Sequence, residues 1–351
     1  MAGLTAVILA GGAGTRLRPL TDDLPKPVLP VANRPFIEYL FDNLREAGVS
    51  RVIMALGYRA QPLVERLGDG SAHDLTITYA VEDEPLGTAG AVHALLPELR
   101  ETFLVLNGDC LTAVDIGAMV AQHIERRDYA TLAIHTVDDP SRYGVVLTDG
   151  IGYVNRFIEK PPGPRFPART VNSGVYVLEP EMFRFIGPGY AMFERDLFPA
   201  TLMAGVEIGT FPWQGYFMDM GTPESYLQLN RDVLTGIAPT RRPPTEPRKA
   251  PAVHHSARID GPVSLGEGVT IGAGAVVVGP AALGDGCVIA DEARVEDSVI
   301  LSGSRVGSGA RVRGAILTPG VVVPEGTAVG PGGVYAGGEA VAGAPADAAD
   351  A

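Results

Sequence analysis

The sequence has few cysteines. Cys110 and Cys287 are the two among 351 residues, and they lie far apart. This excludes a disulfide framework and the paired spacing of a cysteine metal site. Scarce cysteine also favours a reducing, cytoplasmic location.

Positive charge and long apolar runs are scarce too. The chain has 28 Lys and Arg against 41 Asp and Glu, a formal net charge of -13. Surfaces that bind nucleic acid or anionic membranes are usually basic, so we expect neither as a partner. The apolar run in MAGLTAVILAGG follows no basic segment and is too short for a signal or a membrane span. A phosphate ligand would need local basic groups and a cation.

Up to residue 234, short apolar runs alternate with amphipathic segments. Such alternation predicts an α/β domain over residues 1–234, with helices on both faces of a sheet. The predicted strands and helices are Ala6–Ala10, Pro35–Ala47, Val49–Ala55, Leu75–Val81, Gly87–Leu96, Phe103–Leu106 and Asp115–Arg127. Open sheets bind ligands beyond the carboxyl ends of their strands, so the residues after AVILA and FLVL are placed for chemistry.

The residues after 234 follow a different sequence pattern. Residues 235–256 form a proline-rich linker. Over residues 257–330 an aliphatic side chain recurs at every sixth position, which predicts a hexapeptide-repeat parallel β-helix of about four coils. The positions are Ile259, Leu265, Ile271, Val277, Leu283, Ile289, Val295 and Leu301, then, after a slip of one, Val306 and Val312, and finally Leu317, Val323 and Val329. Residues 331–351 lack core residues and are predicted to be a disordered tail.

The first apolar run leads into a glycine-rich loop. Gly11, Gly12 and Gly14 are followed by Arg16 and, in PKP, by Lys26. Glycines let backbone N–H groups approach phosphate oxygens, and fixed cations neutralise them. The spacing matches neither GxGxxG nor GxxxxGK[ST]. The alternatives are a tight turn and a solvated basic loop.

Several ordered motifs carry a family resemblance. They are GGAGTRLRPLT, PKPVLPVANRPFIEY, EDEPLGTAGA, LNGDC, RYGVV, FIEKP, VNSGVYVL and YFMDMGTPESYL. Together they resemble the sugar-1-phosphate nucleotidyltransferases, and within them the mannose-1-phosphate guanylyltransferases, many of which carry a hexapeptide domain. The resemblance implies a Rossmann-like mixed sheet followed by a left-handed parallel β-helix.

The resemblance also implies a reaction. The phosphate of a sugar 1-phosphate attacks the α-phosphorus of a nucleoside triphosphate, giving an NDP-sugar and pyrophosphate, a step that depends on positioning and charge neutralisation. Arg16 would hold the β and γ phosphates, and Lys26 would reach the reacting phosphate. The implied nucleotide-binding residues are Leu9, Ala10, Gly11, Gly12, Gly14, Thr15, Arg16, Glu82 and Gly87.

Two carboxylates and a set of polar residues complete the implied site. Asp109 and Asp219 would hold Mg²⁺, which prefers oxygen ligands, although either alone could be a turn residue. With Arg16 and Lys26 they form the implied catalytic set. The implied sugar-phosphate residues are Gly144, Glu159, Lys160 and Asn172. Neighbouring strand residues point to opposite faces, so Glu159 or Lys160 could instead be a plain surface charge. Glu194 falls at a recurrent acidic position without an assigned role.

Glu82 bears on the choice of base. Relatives that use thymidine or uridine triphosphate usually carry Gln there, whereas a carboxylate accepts from the adjacent N1–H and N2–H₂ of guanine. GTP is therefore the expected nucleotide, and the family resemblance implies mannose 1-phosphate as the sugar substrate. Glu82 could also be a solvated charge. A glucose, heptose or cyclitol phosphate, with GTP or with dTTP or UTP, stays open.

Two other functions compete with this one. A β-helix acyltransferase would need a histidine base, but His254 and His255 precede the repeats and none lies within them. A non-catalytic regulatory subunit would be expected to lose the implied catalytic residues, which are all present. We interpret the β-helix as an oligomerisation or regulatory surface and expect a homo-oligomer.

Overall fold

The computed structural model describes residues 3–22, 24–57, 60–164, 166–240, 249–337 and 344–345. The chain divides into two compact units. The first comprises Met1–Ala13 and Leu40–Phe217, and the second comprises Gly14–Tyr39 and Met218–Ala351. Among the described residues, no helix combines the length and the apolar character needed to cross a membrane.

Strands and helices alternate up to residue 234, as the sequence predicts. The strands are β1 (Thr5–Leu9), β2 (Pro30–Val31), β3 (Arg34–Pro35), β4 (Arg51–Leu56), β5 (Thr76–Val81), β6 (Phe103–Asn107), β7 (Cys110–Thr112), β8 (Ala130–Thr136), β9 (Gly144–Thr148), β10 (Val154–Glu159), β11 (Thr170–Leu178), β12 (Gly209–Pro212) and β13 (Phe217–Asp219). The α-helices are α1 (Phe36–Glu46), α2 (Gln61–Leu67), α3 (Gly87–Ala94), α4 (Ile116–Arg126), α5 (Phe198–Met203) and α6 (Pro223–Leu234). Short 3-10 helices lie at Thr15–Leu17, Lys26–Val28, Ser71–His73 and Pro180–Phe185, and a π-helix at Phe193–Leu197.

A mixed sheet forms the first unit. Its order is β10-β9-β11-β6-β1-β4-β5, with β8 paired to β11 and β12 paired to β8. β6, β1, β4 and β5 run parallel, whereas β11 is antiparallel to β6. Parallel central strands are covered on both faces, which explains why β1 and β6 read as the continuous apolar runs AVIL and FLVL. The predicted Rossmann-like mixed sheet is confirmed.

The repeats of the second unit form three parallel sheets. Their strands are β14 (Ala252–Val253), β15 (Arg258–Asp260), β16 (Val263–Leu265), β17 (Thr270–Ile271), β18 (Val276–Val278), β19 (Ala281–Leu283), β20 (Val288–Ile289), β21 (Arg294–Glu296), β22 (Val299–Ile300), β23 (Arg305–Val306), β24 (Arg311–Arg313), β25 (Ile316–Leu317), β26 (Val322–Val323), β27 (Thr327–Val329), β28 (Val334–Tyr335) and β29 (Ala344–Pro345). The orders are β14-β17-β20-β23-β26, β15-β18-β21-β24-β27-β29 and β16-β19-β22-β25-β28. Their strands pair in parallel except β29, which is antiparallel to β27. The predicted left-handed β-helix is thereby confirmed.

The repeat register differs from prediction at one strand. The residue stacked on Leu283 and Leu317 is Ile300, where the six-residue count placed Leu301. The count fails because one segment of the coil has five residues, and both Ile300 and Leu301 are buried.

The β-helix also extends beyond its predicted limits. β14 lies inside the segment predicted as linker, and β28 lies beyond residue 330. The linker residues 241–248 and the tail residues 338–343 and 346–351 fall outside the described residues.

Candidate active site

A cavity of about 390 Å³ opens in the first unit where four parallel strands end. The sequence-predicted nucleotide residues in its lining are Leu9, Gly11, Gly12, Glu82 and Gly87, and the predicted metal ligand Asp109 lines it as well. Leu9 ends β1, and the others follow β1, β5 and β6, whose carboxyl ends share one edge of the sheet. This is the edge at which open α/β sheets bind ligands.

The strand order separates the two acidic residues of this cavity. Asp109 follows β6 and Glu82 follows β5, with β1 and β4 between them. Three strand spacings correspond to roughly 14 Å. A ligand that spans the cavity would therefore meet one carboxylate at each end and the glycines in between.

The cavity glycines differ in whether the protein itself leaves room for a side chain at their positions. A Cβ on Gly11 would come within 3.2 Å of the backbone nitrogen of Gly57. Gly87 has a φ of +70°, and a Cβ there would lie 2.5 Å from the carbonyl oxygen of Ala191. A Cβ on Gly12 would meet nothing within 4 Å. Packing therefore explains Gly11 and Gly87, but it does not explain Gly12.

Ala10 and Glu82 are both engaged in local hydrogen bonds. The backbone nitrogen of Ala10 donates to the carbonyl oxygen of Ala55 over 2.9 Å, so this amide supports the sheet. Oε2 of the half-buried Glu82 accepts from the backbone nitrogen of Leu86 over 3.0 Å. Glu82 thus holds its own turn, which fixes the direction of its carboxylate toward the cavity.

Sequence reasoning missed seven lining residues: Ala55, Pro85, Thr88, Ala91, Asn107, Tyr190 and Met192. Asn107 and Thr88 stand inside the motifs LNGDC and PLGTAG, so the motifs themselves were the available signal. Oγ1 of Thr88 accepts from the backbone nitrogen of Phe193 over 3.1 Å, which ties α3 to the segment carrying Tyr190 and Met192. No motif marks that segment.

The predicted sugar residues form a second cluster in the first unit. Gly144 pairs with Glu159 across β9 and β10, and a Cβ on Gly144 would lie 3.1 Å from Oε2 of Glu159. Nδ2 of Asn172 donates to Tyr176 Oη over 2.7 Å and to Oε1 of Glu194 over 2.9 Å. Glu194, which had no role in the sequence analysis, is therefore the partner of Asn172.

Lys160 corrects the expectation about opposite faces. β10 ends at Glu159, and Lys160 follows with a φ of +46°. The alternation of a strand no longer applies, so Nζ of Lys160 lies 3.9 Å from Oε1 of Glu159. The Lys160 side chain is 65% exposed, which leaves the ammonium accessible to a ligand.

Burial changes the acidity of this cluster. Desolvation raises the pKa of Glu194 above its ordinary 4.5, and the Glu159 carboxylate raises it further. Desolvation also raises the pKa of the buried Tyr176, with Glu194 adding to the effect. The environment thus favours the neutral form of both groups.

Trp213 supports the same strand. Its Nε1 donates to Oγ of Ser173 over 3.1 Å, and its ring lies 4.4 Å from that of His135. Burial of His135 lowers its pKa, so the imidazole is held toward its neutral form. Trp213 is the one tryptophan in the sequence and lies upstream of FMDMG, and it braces the strand that carries VNSG.

The predicted catalytic residues Arg16, Lys26 and Asp219 lie in the second unit. Nζ of Lys26 is 3.7 Å from Oδ1 of Asp219, and their side chains are 10% and 19% exposed. A Cβ on Gly221 would lie 3.2 Å from an Arg16 guanidinium nitrogen and 2.9 Å from Oδ2 of Asp219. Glycine at position 221 therefore allows Arg16 to lie against the backbone beside Asp219.

Gly14 and Thr15 form the turn that precedes Arg16. Gly14 has a φ of +59°, and a 3-10 helix begins at Thr15. Oγ1 of Thr21 donates to the carbonyl oxygen of Gly14 over 2.8 Å. The turn is thus closed by the chain itself, and the exposed Arg16 extends from it.

The acidic donors fit a divalent metal ion. Asp109 and Asp219 supply carboxylate oxygens, which are the ligands that hard cations such as Mg²⁺ take. Sγ of Cys110 lies 3.5 Å from Oδ1 of Asp109 and is a weak donor to it. A thiol in this contact supports the direction of the carboxylate and needs no catalytic role.

A family model described as nucleotidyl transferase matches residues 5–236. The chain belongs to this family. A second model, for the GlmU-like C-terminal hexapeptide, matches residues 254–333. The predicted family and enzyme class, sugar-1-phosphate nucleotidyltransferase, are thereby confirmed. Members of the family generally use a divalent metal.

Relatives with curated names support the same class. The chain is 38% identical over 277 residues to a mannose-1-phosphate guanylyltransferase of Mycobacterium tuberculosis, covering 77% of each chain. It is 36% identical over 230 residues to the mannose-1-phosphate guanyltransferase of Schizosaccharomyces pombe, covering 64% of this chain and 62% of that one. Among solved structures, HddC from Yersinia pseudotuberculosis, also solved with GMP-PN, matches with a TM-score of 0.57 and 30% identity over 65% of this chain and 98% of its own.

Proposed function

We propose that the protein joins GTP and mannose 1-phosphate to give GDP-mannose and pyrophosphate. The observation that carries this proposal is that Glu82, Gly11, Gly12 and Asp109 line one and the same cavity. It offers a base acceptor at one end and a phosphate cradle toward the other. The names of the 38% and 36% identical relatives support the choice of GTP and mannose.

Glu82 would select the base. Its carboxylate is fixed by the Leu86 N–H and retains acceptor capacity for the two neighbouring donors of guanine. Uracil and thymine offer a single donor, N3–H, between two acceptors, so one carboxylate contact of guanine would be lost and replaced by a carbonyl oxygen. The cost of an unsatisfied polar group makes this a basis for discrimination.

The cations would hold the phosphates. Backbone N–H groups of Gly11, Gly12 and Thr15 and the exposed Arg16 would stabilise the leaving pyrophosphate. Lys26 is held by Asp219, which restricts its rotamers and prepares it for the reacting phosphate. Positioning and neutralisation are the main needs of phosphoryl transfer.

Asp109 and Asp219 are proposed as the metal ligands, with Mg²⁺ as the ion. Their assignment to one ion rests on the family motifs LNGDC and FMDMG. When bound, the ion would neutralise phosphate charge and fix the phosphate oxygens.

The cluster around Asn172 is proposed to bind the sugar phosphate. Glu159 would accept from sugar hydroxyls, Lys160 would pair with the phosphate, and the backbone of Gly144 would complete the contact. Asn172 is oriented by Tyr176 and Glu194. Side chains held by such contacts lose little freedom when a substrate binds.

A substrate matrix tests the proposal. GTP, ATP, UTP, dTTP and CTP are each combined with mannose, glucose and other sugar 1-phosphates in the presence of Mg²⁺, and pyrophosphate release is measured. We expect the highest kcat/KM for GTP with mannose 1-phosphate. Turnover with dTTP alone would refute the role of Glu82, and absence of turnover in every combination would refute the reaction.

Two further proposals concern the oligomeric state and the cellular location of the protein. We propose a homo-oligomer, which light scattering at micromolar concentration would show as a mass above that of one chain. We also propose a cytoplasmic location, which is supported by the scarcity of cysteine: Cys110 and Cys287 are the two in the sequence. A light-scattering mass equal to that of one chain would contradict the homo-oligomer.

A further inference from the structure

The hairpin that follows Lys26 has an unfavourable residue in its turn. β2 and β3 pair antiparallel and are joined by Ala32 and Asn33, whose φ values are +47° and +64°. Two positive φ values in succession are typical of a type I′ turn, which favours Asn and Gly. Alanine is disfavoured there because its Cβ crowds the backbone, so its surroundings must hold it in place.

Those surroundings are α6 and the β-helix. Nδ2 of Asn33 donates to Oγ of Ser264 over 3.0 Å and to the carbonyl oxygen of Leu283 over 2.9 Å. Oγ of Ser264 in turn donates to the carbonyl oxygen of Ala32 over 3.2 Å. Oδ1 of Asn230 accepts from the backbone nitrogen of Ala32 over 2.8 Å. Both polar groups of the Ala32 backbone are therefore satisfied by residues distant in sequence.

These contacts are shielded from water. Ser264 is 7% exposed, Asn230 1% and Ala32 0%. Hydrogen bonds in such surroundings are costly to leave unmade, because a buried donor or acceptor without a partner keeps its desolvation penalty. The turn is thus fastened to the β-helix, and Gly14–Tyr39 belongs to the same compact unit.

Little chain separates this turn from Lys26. Lys26–Val28 is a 3-10 helix, and the backbone nitrogen of Leu29 donates to the carbonyl oxygen of Lys26 over 3.2 Å. The carbonyl oxygen of Leu29 accepts from Phe36 over 3.0 Å, on the far side of the hairpin. Leu29 is therefore hydrogen-bonded through its backbone both to Lys26 and to Phe36 on the far side of the hairpin.

We propose that Asn33 and Ser264 are positioning residues for Lys26. The β-helix fixes the turn, the turn fixes the 3-10 helix, and the helix sets the place of Nζ beside Asp219. The inference rests on the proposed role of Lys26 at the reacting phosphate. It gives the hexapeptide domain a part in the chemistry of its own chain.

Ser264→Ala tests the inference on the β-helix side. We expect kcat to fall about tenfold, because small displacements of a catalytic group have effects up to about 100-fold, while the KM for GTP stays within about threefold. Asn33→Gly keeps the positive φ and removes the amide, and we expect the same loss. The matched control is Ser304→Ala, another β-helix serine that is 0% exposed and donates to the carbonyl oxygen of Thr318. Equal kcat values for Ser264→Ala and Ser304→Ala would overturn the inference.

A double variant separates positioning from general damage. Lys26→Gln alone is expected to lower kcat strongly. If Ser264 acts through Lys26, adding Ser264→Ala to Lys26→Gln causes no further loss, since coupled residues are not additive. Full additivity would overturn the inference while leaving the role of Lys26 intact. An unchanged kcat in Lys26→Gln alone would instead refute the proposed role of Lys26, and the positioning of Lys26 with it.

Discussion

The side-chain amide of Asn172 and the carboxylate of Glu194 are joined by a hydrogen bond of 2.9 Å. Tyr176 shares it, because its hydroxyl accepts from Asn172 and lies 3.2 Å from the same Glu194 oxygen. A predicted substrate residue is thus oriented by an acid that is largely withdrawn from solvent. The orientation of Asn172 therefore depends on Glu194, whose ionised form is disfavoured by burial.

Glu194→Gln is predicted to raise stability more at pH 8 than at pH 5. The pKa of Glu194 is raised above 4.5 by burial. The folded state therefore binds this proton more tightly than the unfolded state, and the stability it contributes is lost as pH rises through the folded pKa. Gln keeps the acceptor oxygen without the charge. The measurement is the Tm of variant and wild type at both pH values.

Asp149→Asn is the control for that experiment. Hydrogen bonds from the backbone of Tyr153 and Ile151 lower the pKa of Asp149 below its ordinary 3.8. This exposed carboxyl stays ionised from pH 5 to pH 8, so its substitution should change Tm equally at both values. A Tm difference for Glu194→Gln that is also independent of pH would contradict the prediction.

Gly12→Ala is predicted to raise the KM for the nucleotide without loss of stability. A Cβ at Gly12 meets nothing within 4 Å in the protein, and its φ is not positive. Any effect must therefore come from contact with a ligand. We expect a KM increase of roughly tenfold, about 1.4 kcal/mol of binding free energy, and a Tm within 1–2 °C of wild type, on the scale of surface substitutions.

Gly87→Ala provides the contrast to Gly12→Ala. Its positive φ and the 2.5 Å approach of a Cβ to the carbonyl oxygen of Ala191 predict a loss of about 2 kcal/mol in the free energy of unfolding. Kinetics and thermal unfolding of both variants are compared. If Gly12→Ala binds GTP as wild type does, the phosphate cradle is elsewhere.

The fold could be predicted from the sequence because the spacing of apolar residues follows from the geometry of the helices, strands and β-helix coils that bury them. Strand β1 and helix α1 differ from their predicted bounds by one residue at each end. The position of Ile300 in the stack was not predicted, because one segment has five residues and a count of six falls on the next residue, Leu301. Leu301 is also aliphatic and buried, so the sequence does not reveal the shift. Only backbone pairing distinguishes the two.

The site residues that belong to sequence motifs could be predicted. The hydrogen bonds between residues distant in sequence could not. Glu82, Gly87 and Asp109 come from motifs and line one cavity. The bonds of Asn33 to Ser264 and Leu283 join residues more than 200 positions apart. No local pattern indicates them, and the positive φ of Lys160 is equally invisible in FIEKP.

Glu82→Gln is predicted to shift base preference away from GTP. Gln can still accept from the Leu86 N–H, so the turn should persist. It exchanges one acceptor of the carboxylate for a donor, which suits uracil and thymine better than guanine. We expect kcat/KM for GTP relative to dTTP to fall roughly 10- to 100-fold, the worth of a charge-assisted hydrogen bond of about 1.5–3 kcal/mol.

Glu82→Ala is the control for the turn. It removes the acceptor for Leu86 as well, so thermal stability should fall while Glu82→Gln leaves it unchanged. The measurement is initial rate with each nucleotide at fixed mannose 1-phosphate, together with Tm. An unchanged preference in Glu82→Gln would mean that the carboxylate only holds its turn.

Asp109→Asn is predicted to lower kcat by a factor of about 100 or more and to weaken metal binding, because an amide oxygen carries no charge to balance the cation. Cys110→Ser is the neighbouring control. The thiol contacts Asp109 over 3.5 Å, and a hydroxyl can donate in the same place, so activity should stay within about threefold of wild type. Direct titration with Mn²⁺ followed by electron paramagnetic resonance reads metal affinity without turnover. Unaltered affinity in Asp109→Asn, with Asp219→Asn measured beside it, would place the metal on other ligands.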